Sequence, residues 1–236
     1  IAEESSFQDY NRDIVYDLLR HVDVIFSKCL NTMPFTTCDC SIVYHPDHPK
    51  CCKNELGHFI YLHTHHNYWC QWVYQFAHEY CHHLIDGKMS GRISGILWFE
   101  ETICELSSMY HLYMIYIQWS NSLNPIQYHY APCVRDYLND LLSENRQLYS
   151  ATLHPGFLSL WEQTLFEPEY HRDYYNAIAA RIFPLFVENP SLWKIILHFG
   201  DMRKWASLPD LFEHLNQTKD ASYSHSLFRL EKLLLP

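Results

Sequence analysis

The chain has 236 residues, of which 48% are apolar and 19% are charged, the composition of a folded protein with a substantial core. Its formal net charge of −10 argues against nucleic-acid binding, because phosphate contacts require clustered Lys and Arg side chains. The longest uncharged apolar run, residues 109–119, is too short and too polar to span a bilayer, so membrane insertion is not expected.

The first elements along the chain are predicted to be a helix followed by a small sheet. Residues 9–30 carry apolar side chains at helical spacing. Residues 40–45 and 57–63 are rich in β-branched and aromatic side chains, which is typical of strands. We expect residues 57–63 to be an exposed edge strand, where the backbone of an extended peptide can add to the sheet.

The next helix, predicted for residues 68–86 and ending before Gly87, carries an HExxH pentapeptide at residues 78–82. Residues i and i+4 lie on one helix face about 6 Å apart, so His78 and His82 can bind one tetrahedral zinc ion. Glu79 lies at the edge of that face, where a carboxylate can act as general base on an activated water without being a ligand. The pentapeptide therefore predicts a hydrolase with one catalytic Zn²⁺.

A third zinc ligand is expected from the following long helix, predicted for residues 97–119. Glu101 near its start would complete a His2Glu set and leave the fourth position open for water. Glu100 is the alternative ligand, and otherwise we expect it to be a solvated carboxylate. Glu105, one turn beyond Glu101, is predicted to accept the second ring N–H of a zinc-bound histidine.

These residues resemble the gluzincin metallopeptidases. Eighteen residues separate His82 from Glu101, and the stretch Trp98-Phe99-Glu100-Glu101 stands where aminopeptidase-N-type enzymes have Trp-Leu-Asn-Glu. The acid four residues after Glu101 is similar to that of thermolysin-like members. The resemblance, which covers about residues 56–120, implies a zincin-like fold, a peptide or protein substrate and hydrolysis of peptide bonds.

The same resemblance implies a tyrosine that stabilises the oxyanion of the tetrahedral intermediate. Tyr174, followed by Ala177 at the start of a predicted helix, fits the family's Tyr-x-x-small pattern, and Tyr175 and His171 are alternatives. The Gly-x-Met-Glu-Asn motif with which aminopeptidases hold a free amino group has no match, and only Glu55 lies at a comparable position. Aminopeptidase activity is therefore not expected, and the choice between exopeptidase and endopeptidase stays open.

Two alternatives to this interpretation remain. Residues 76–84 are also similar to compact cytosolic peptidases of the ImmA/IrrE type, which cleave specific regulators, and the small region upstream of the zinc helix favours them. The other alternative is a latent or non-catalytic zinc-binding interaction domain. The presence of Glu79 favours catalysis, because a purely structural zinc site needs no general base beside its ligands.

After Pro125 the chain is predicted to be wholly helical, with helices over residues 132–149, 155–166, 172–187, 190–199, 209–216 and 223–234. We therefore predict an α+β fold that is mostly helical. An N-terminal zincin subdomain, residues 1–122, would hold the small sheet and the zinc-binding helices. An all-helical C-terminal subdomain, residues 123–236, would close the active-site cleft.

Histidine and cysteine clusters also occur outside the HExxH pentapeptide. His63, His65 and His66 are candidates for an accessory metal site, although an exposed polar turn is the expected reading. The nine cysteines are expected to be mostly free thiols of a reducing, cytoplasmic compartment. Four of them lie close together in the sequence and could instead form disulfides or a structural zinc site: Cys38, Cys40, Cys51 and Cys52. The chain begins at Ile1, so a leader removed during maturation is compatible with the sequence, and the oligomeric state stays open.

Overall fold

A computed structural model describes seven stretches of the chain, residues 7, 9–31, 40–55, 57–86, 94–167, 170–202 and 206–235. Within them the protein is mostly helical with one small sheet, so the predicted α+β class is confirmed. No helix of the described part is both long enough and apolar enough to cross a bilayer. Gly87 and Cys38 lie outside the described residues.

The N-terminal half consists of three helices and three strands. Helix α1 spans Arg12–Leu30, and Asn11 caps it by accepting a hydrogen bond from the Ile14 N–H. Helix α2 spans Trp69–Asp86, and α3 spans Leu97–Trp119 after a short 3₁₀ turn. The strands are β1 (Cys40–Tyr44), β2 (Lys50–Asn54) and β3 (Gly57–Leu62).

The sheet has the order β1-β3-β2, which corrects the predicted edge strand. β3 is the central strand; it pairs in parallel with β1 and antiparallel with β2. Ile60 and Leu62 of β3 are fully buried. The edge next to the cleft is instead β2, which the sequence pattern missed because Lys-Cys-Cys-Lys-Asn lacks the β-branched and aromatic residues of a typical strand.

The C-terminal half is helical, as predicted, but the first predicted helix has the wrong bounds at both ends. Its elements are α4 (Pro125–Ser143), α5 (Arg146–Ala151), α6 (Phe157–Leu165), α7 (Arg172–Glu188), a long 3₁₀ helix (Pro190–Asp201), α8 (Leu208–Gln217) and α9 (Ser224–Leu234). The predicted helix 132–149 is wrong: α4 begins seven residues earlier, where Asn124 accepts a hydrogen bond from Ile126 N–H and Pro125 occupies the first turn. Pro132 lies inside α4.

The long 3₁₀ helix replaces the α-helix expected for residues 190–199. Its apolar residues recur every third position, as in Trp193, Ile196 and Phe199, and all three are fully buried. Side chains three residues apart eclipse each other in a 3₁₀ helix, so this spacing presents one continuous apolar face to the core.

Helix α3 is the centre of the fold. Seventeen of its 23 residues are buried, including an unbroken run from Trp98 to Leu112. It contacts α2 on one side and α4 and α7 on the other, and a single hydrophobic core includes both halves of the chain. A buried helix of this length holds the position of its own polar side chains closely, which matters for the carboxylates near its N-terminal end.

Candidate metal centre

The HExxH residues of α2 face the carboxylates at the start of α3. His78, His82 and Glu101 are all buried, with exposed fractions of 9%, 3% and 7%. Oε2 of Glu101 lies 3.4 Å from Nε2 of His78 and 3.3 Å from Nε2 of His82. Glu101 on α3 thus lies beside both predicted histidine ligands of α2.

These distances fit a shared metal ion. With Zn–N and Zn–O bonds of about 2.0–2.1 Å, the ligand atoms of a tetrahedral zinc site lie about 3.3–3.4 Å apart. The two measured edges, 3.4 and 3.3 Å, match that separation. A carboxylate oxygen between two imidazole nitrogens is also a suitable donor set for zinc, whose ligands in proteins are His, Cys, Asp and Glu.

Electrostatic interactions among the three groups shift the pKa of each of them. Burial alone would raise the pKa of Glu101, but its contacts with the two histidines hold that pKa well below the usual range. Burial would likewise lower the pKa of His82, but Glu100 and Glu101 raise it well above the usual value. The pKa of His78 is also raised, against the effect of burial, by Glu101, Glu105 and Glu79. Because a histidine must be neutral to bind a metal ion, metal binding at His78 and His82 would release protons.

Glu100 is buried beside His82 rather than exposed to solvent. It is 1% exposed, so the prediction of a solvated carboxylate is wrong. Its Oε1 accepts a hydrogen bond from Nδ1 of His82 at 2.7 Å. That bond places the proton of His82 on Nδ1 and leaves Nε2 available for a metal ion.

The structure also corrects the prediction that Glu105 accepts a hydrogen bond from a zinc-bound histidine. Its Oε1 lies 3.9 Å from Nδ1 of His78, which is longer than a hydrogen bond. Its carboxylate instead accepts hydrogen bonds from Tyr74, from Tyr170 at 3.3 Å and from Nε of Arg172 at 3.2 Å. Arg172 also donates to the Tyr74 hydroxyl at 2.8 Å. Glu105 therefore fixes the wall of the site rather than a ligand.

The site opens into a cavity of about 600 Å³. Glu79, 6% exposed, lines it beside both histidines and Glu101, as a general base for an attacking water must. The edge strand β2 forms part of the opposite wall through Lys50 and Cys51. The cavity thus joins candidate metal ligands, a candidate base and an edge strand.

The predicted oxyanion donor does not reach this cavity. Tyr174 packs against Trp161, with ring centroids 4.9 Å apart, and Tyr175 is buried. His171 lies 3.3 Å from Glu167, and none of these three predicted donors is among the described residues that line the cavity. Tyr170 does line it. Tyr170 was missed in the sequence because this residue precedes α7, whereas the family pattern places the tyrosine within the helix.

A buried thiol also lies close to the histidines. The Cys104 thiol is 0% exposed, and its sulfur forms a group with ring nitrogens of His78 and His82 in which all ligand atoms are within 4.8 Å. Burial, and then its hydrogen bond with Cys81, raises the pKa of Cys104 well above the usual value. Cys104 is therefore a candidate fourth ligand, which would have to lose its proton on binding because the thiolate, not the thiol, binds a metal ion.

The other predicted clusters do not converge in this way. His63 is hydrogen-bonded to the His45 carbonyl oxygen at 3.0 Å, and His65 to the Tyr44 hydroxyl at 3.0 Å, so both are half-buried rather than in an exposed turn. Cys40 lies on β1 and Cys52 on β2, on opposite sides of the central strand. Neither cluster forms a group of candidate metal ligands among the described residues.

A second cavity, of about 350 Å³, lies between α1, α3 and the start of α4. Its ionisable lining groups are Asp17, Arg20 and His21, which do not form a group of candidate metal ligands. Of these two cavities, the larger one is lined by the HExxH histidines.

Neither a protein-family model, nor a curated protein, nor a solved structure matches this chain. Any assignment of function consequently depends on the geometry of the site itself.

Proposed function

We propose that the protein is a zinc-dependent metallopeptidase of the gluzincin type. The observation that carries the proposal is the position of Glu101, whose Oε2 lies at tetrahedral-edge distance from Nε2 of both HExxH histidines. Glu79 beside them in the same cavity adds the one group that a purely structural zinc site does not need.

In the proposed mechanism, His78, His82 and Glu101 would hold the ion, and Glu100 orients His82. A zinc ion bound there would lower the pKa of water toward neutrality and polarise a carbonyl oxygen. Glu79 then takes the proton of the attacking water and delivers it to the amine that leaves. The low exposure of these groups strengthens their electrostatic interactions with the reacting atoms.

The walls of the cavity suggest how a peptide is held. β2 is an edge strand whose Lys50 and Cys51 line the cavity, and we propose that an extended substrate lies along this edge of the sheet. Tyr170 lines the same cavity, and we propose that its hydroxyl, which donates to Glu105 at 3.3 Å, donates instead to the developing oxyanion when a substrate is bound. We assign to Tyr170 the role that the sequence pattern predicted for Tyr174.

The second candidate function is a non-catalytic zinc-binding domain. The observation that favours it is Cys104, because a fourth protein ligand would close the position that water needs. The two candidates differ in whether the bound ion keeps an open coordination position.

The test is cleavage of an unbiased peptide library by zinc-loaded wild-type protein and by the Glu79→Gln variant, with bound zinc measured in both. The proposal expects about one zinc at this site in each protein, cleavage by the wild type and a loss of cleavage in the variant. Equal cleavage by both proteins would refute Glu79 as the base. Full zinc occupancy without cleavage by either protein would favour the non-catalytic candidate.

A further inference from the structure

Outside the HExxH site, a second group of metal-ligating side chains comes together in the C-terminal half. His198 and Asp201 lie at the end of the long 3₁₀ helix, and His214 lies on α8. One ligand atom from each lies within 4.8 Å of the other two. No part of the proposed peptidase mechanism uses these residues.

The geometry repeats that of the HExxH site. Oδ2 of Asp201 lies 3.2 Å from Nδ1 of His198 and 3.5 Å from Nε2 of His214. The ring centroids of the two histidines are 5.7 Å apart. One carboxylate oxygen again lies between two imidazole nitrogens, at separations close to the roughly 3.3–3.4 Å edge of a tetrahedral zinc site.

His214 provides an independent observation. Although about a third of its side chain is exposed, its Nε2 atom is buried and makes no hydrogen bond. It lies 3.5 Å from Oδ2 of Asp201, an ion-pair distance without a hydrogen bond, and buried ring nitrogens that make no hydrogen bond are uncommon. Oδ2 of Asp201 is hydrogen-bonded to Nδ1 of His198 at 3.2 Å, so it lies between the two rings without giving Nε2 of His214 a hydrogen bond.

The surrounding structure places the three groups firmly. His198 and Asp201 are three residues apart, which puts them on the same side of a 3₁₀ helix. Helix α8 begins with a reciprocal capping box between Ser207 and Asp210, and its Leu211 and Leu215 are buried in the core. The backbone that carries His214 is thereby fixed against the long 3₁₀ helix, which α8 contacts.

We infer that His198, Asp201 and His214 form a second binding site for a divalent transition-metal ion, with zinc as the best match to two imidazoles and one carboxylate. Their side chains are 27%, 42% and 35% exposed, so an ion can enter and water can complete its coordination. The ion would join the end of the 3₁₀ helix to α8 and stabilise that connection. This inference does not depend on hydrolysis at the HExxH site.

The experiment measures zinc bound per chain after equilibration in a zinc-buffered solution, by elemental analysis of the folded full chain. The wild type is expected to bind two ions, and Asp201→Asn and His214→Ala are each expected to bind one. The exposed His225 on α9 provides a matched control, because His225→Ala should keep two ions. Circular dichroism establishes that each variant is folded.

A second variant separates this site from the first. His78→Ala combined with His82→Ala should still bind one ion, and adding Asp201→Asn should remove it. An ion count in both Asp201→Asn and His214→Ala that equals the wild-type count would overturn the inference. A wild-type protein that binds two ions but cleaves no peptide would refute the proposed peptidase and leave the inference of a second site intact.

Discussion

Replacing Glu100 by glutamine is expected to weaken zinc binding at the HExxH site about 5- to 30-fold. Glu100 is 1% exposed and accepts the Nδ1 proton of His82 at 2.7 Å. Glutamine keeps the size and an acceptor oxygen but removes the charge. A hydrogen bond to a charged group contributes about 1.5–3 kcal/mol and a neutral one about 0.5–1.5, a difference of about 1–2 kcal/mol, which corresponds to that change in Kd.

The assay is competition for zinc against a chromogenic chelator at neutral pH, in an Asp201→Asn background so that only the first site contributes. Glu105→Gln is the matched control, because Glu105 is equally buried and lies beside the other histidine at 3.9 Å, beyond hydrogen-bond distance. We expect it to change the Kd less than Glu100→Gln does. An unchanged Kd in Glu100→Gln, or a larger loss in Glu105→Gln, would refute the assignment of Glu100 as the residue that orients His82.

Three further predictions concern catalysis, pH and the core. Tyr170→Phe should lower kcat of the peptidase about 100-fold, whereas Tyr174→Phe, whose ring packs on Trp161, should leave kcat unchanged; equal losses would contradict the assignment of the donor. Burial lowers the pKa of His111 to about 3, so below about pH 6.5 only the unfolded chain takes up this proton. As the pH is lowered from about 6.5 to 3, the free energy of unfolding should therefore fall by about 1.4 kcal/mol per pH unit on account of His111 alone. Urea titrations at several pH values should show a smaller dependence on pH in His111→Asn. Phe26→Ala should lower the free energy of unfolding by about 3–5 kcal/mol because Phe26 is fully buried, whereas Tyr16→Ala on the same helix, 65% exposed, should change it by less than about 0.5 kcal/mol.

The helices that carry the site could be predicted well from the sequence, for a physical reason. Helix α3 begins and ends at the predicted residues, Leu97 and Trp119, because a long apolar run without Gly or Pro has few other ways to satisfy its backbone. The i, i+4 spacing of His78 and His82 likewise follows from helix geometry alone. The mostly helical α+β class was therefore predictable from patterns within each segment.

The contacts of individual side chains in the site could not be predicted, because they depend on the direction in which each side chain points. Glu100 and Glu101 are neighbours on α3, and only the structure shows that the first reaches Nδ1 of His82 and the second Nε2 of both histidines. The residues of the wall are also distant in sequence, since Tyr170 meets Glu105 across 65 positions. No periodic pattern reports such a contact.

The proposed second metal site, formed by His198, Asp201 and His214, was only partly visible in the sequence. His198 and Asp201 stand three residues apart, a spacing that could have been noticed, but their meeting with His214 depends on how α8 folds back onto the long 3₁₀ helix. Strand β2 was missed for a different reason. Its five residues are stabilised by pairing with β3 rather than by their own strand propensity.

The measurement that tests the central claim most directly is zinc K-edge X-ray absorption of the zinc-loaded Asp201→Asn variant. The proposed site, held by His78, His82 and Glu101, predicts only nitrogen and oxygen neighbours at about 2.0–2.1 Å, with one position open to solvent. A sulfur neighbour at about 2.3 Å would mean that Cys104 closes the coordination sphere. That result would contradict the proposed catalytic site and favour a structural zinc ion.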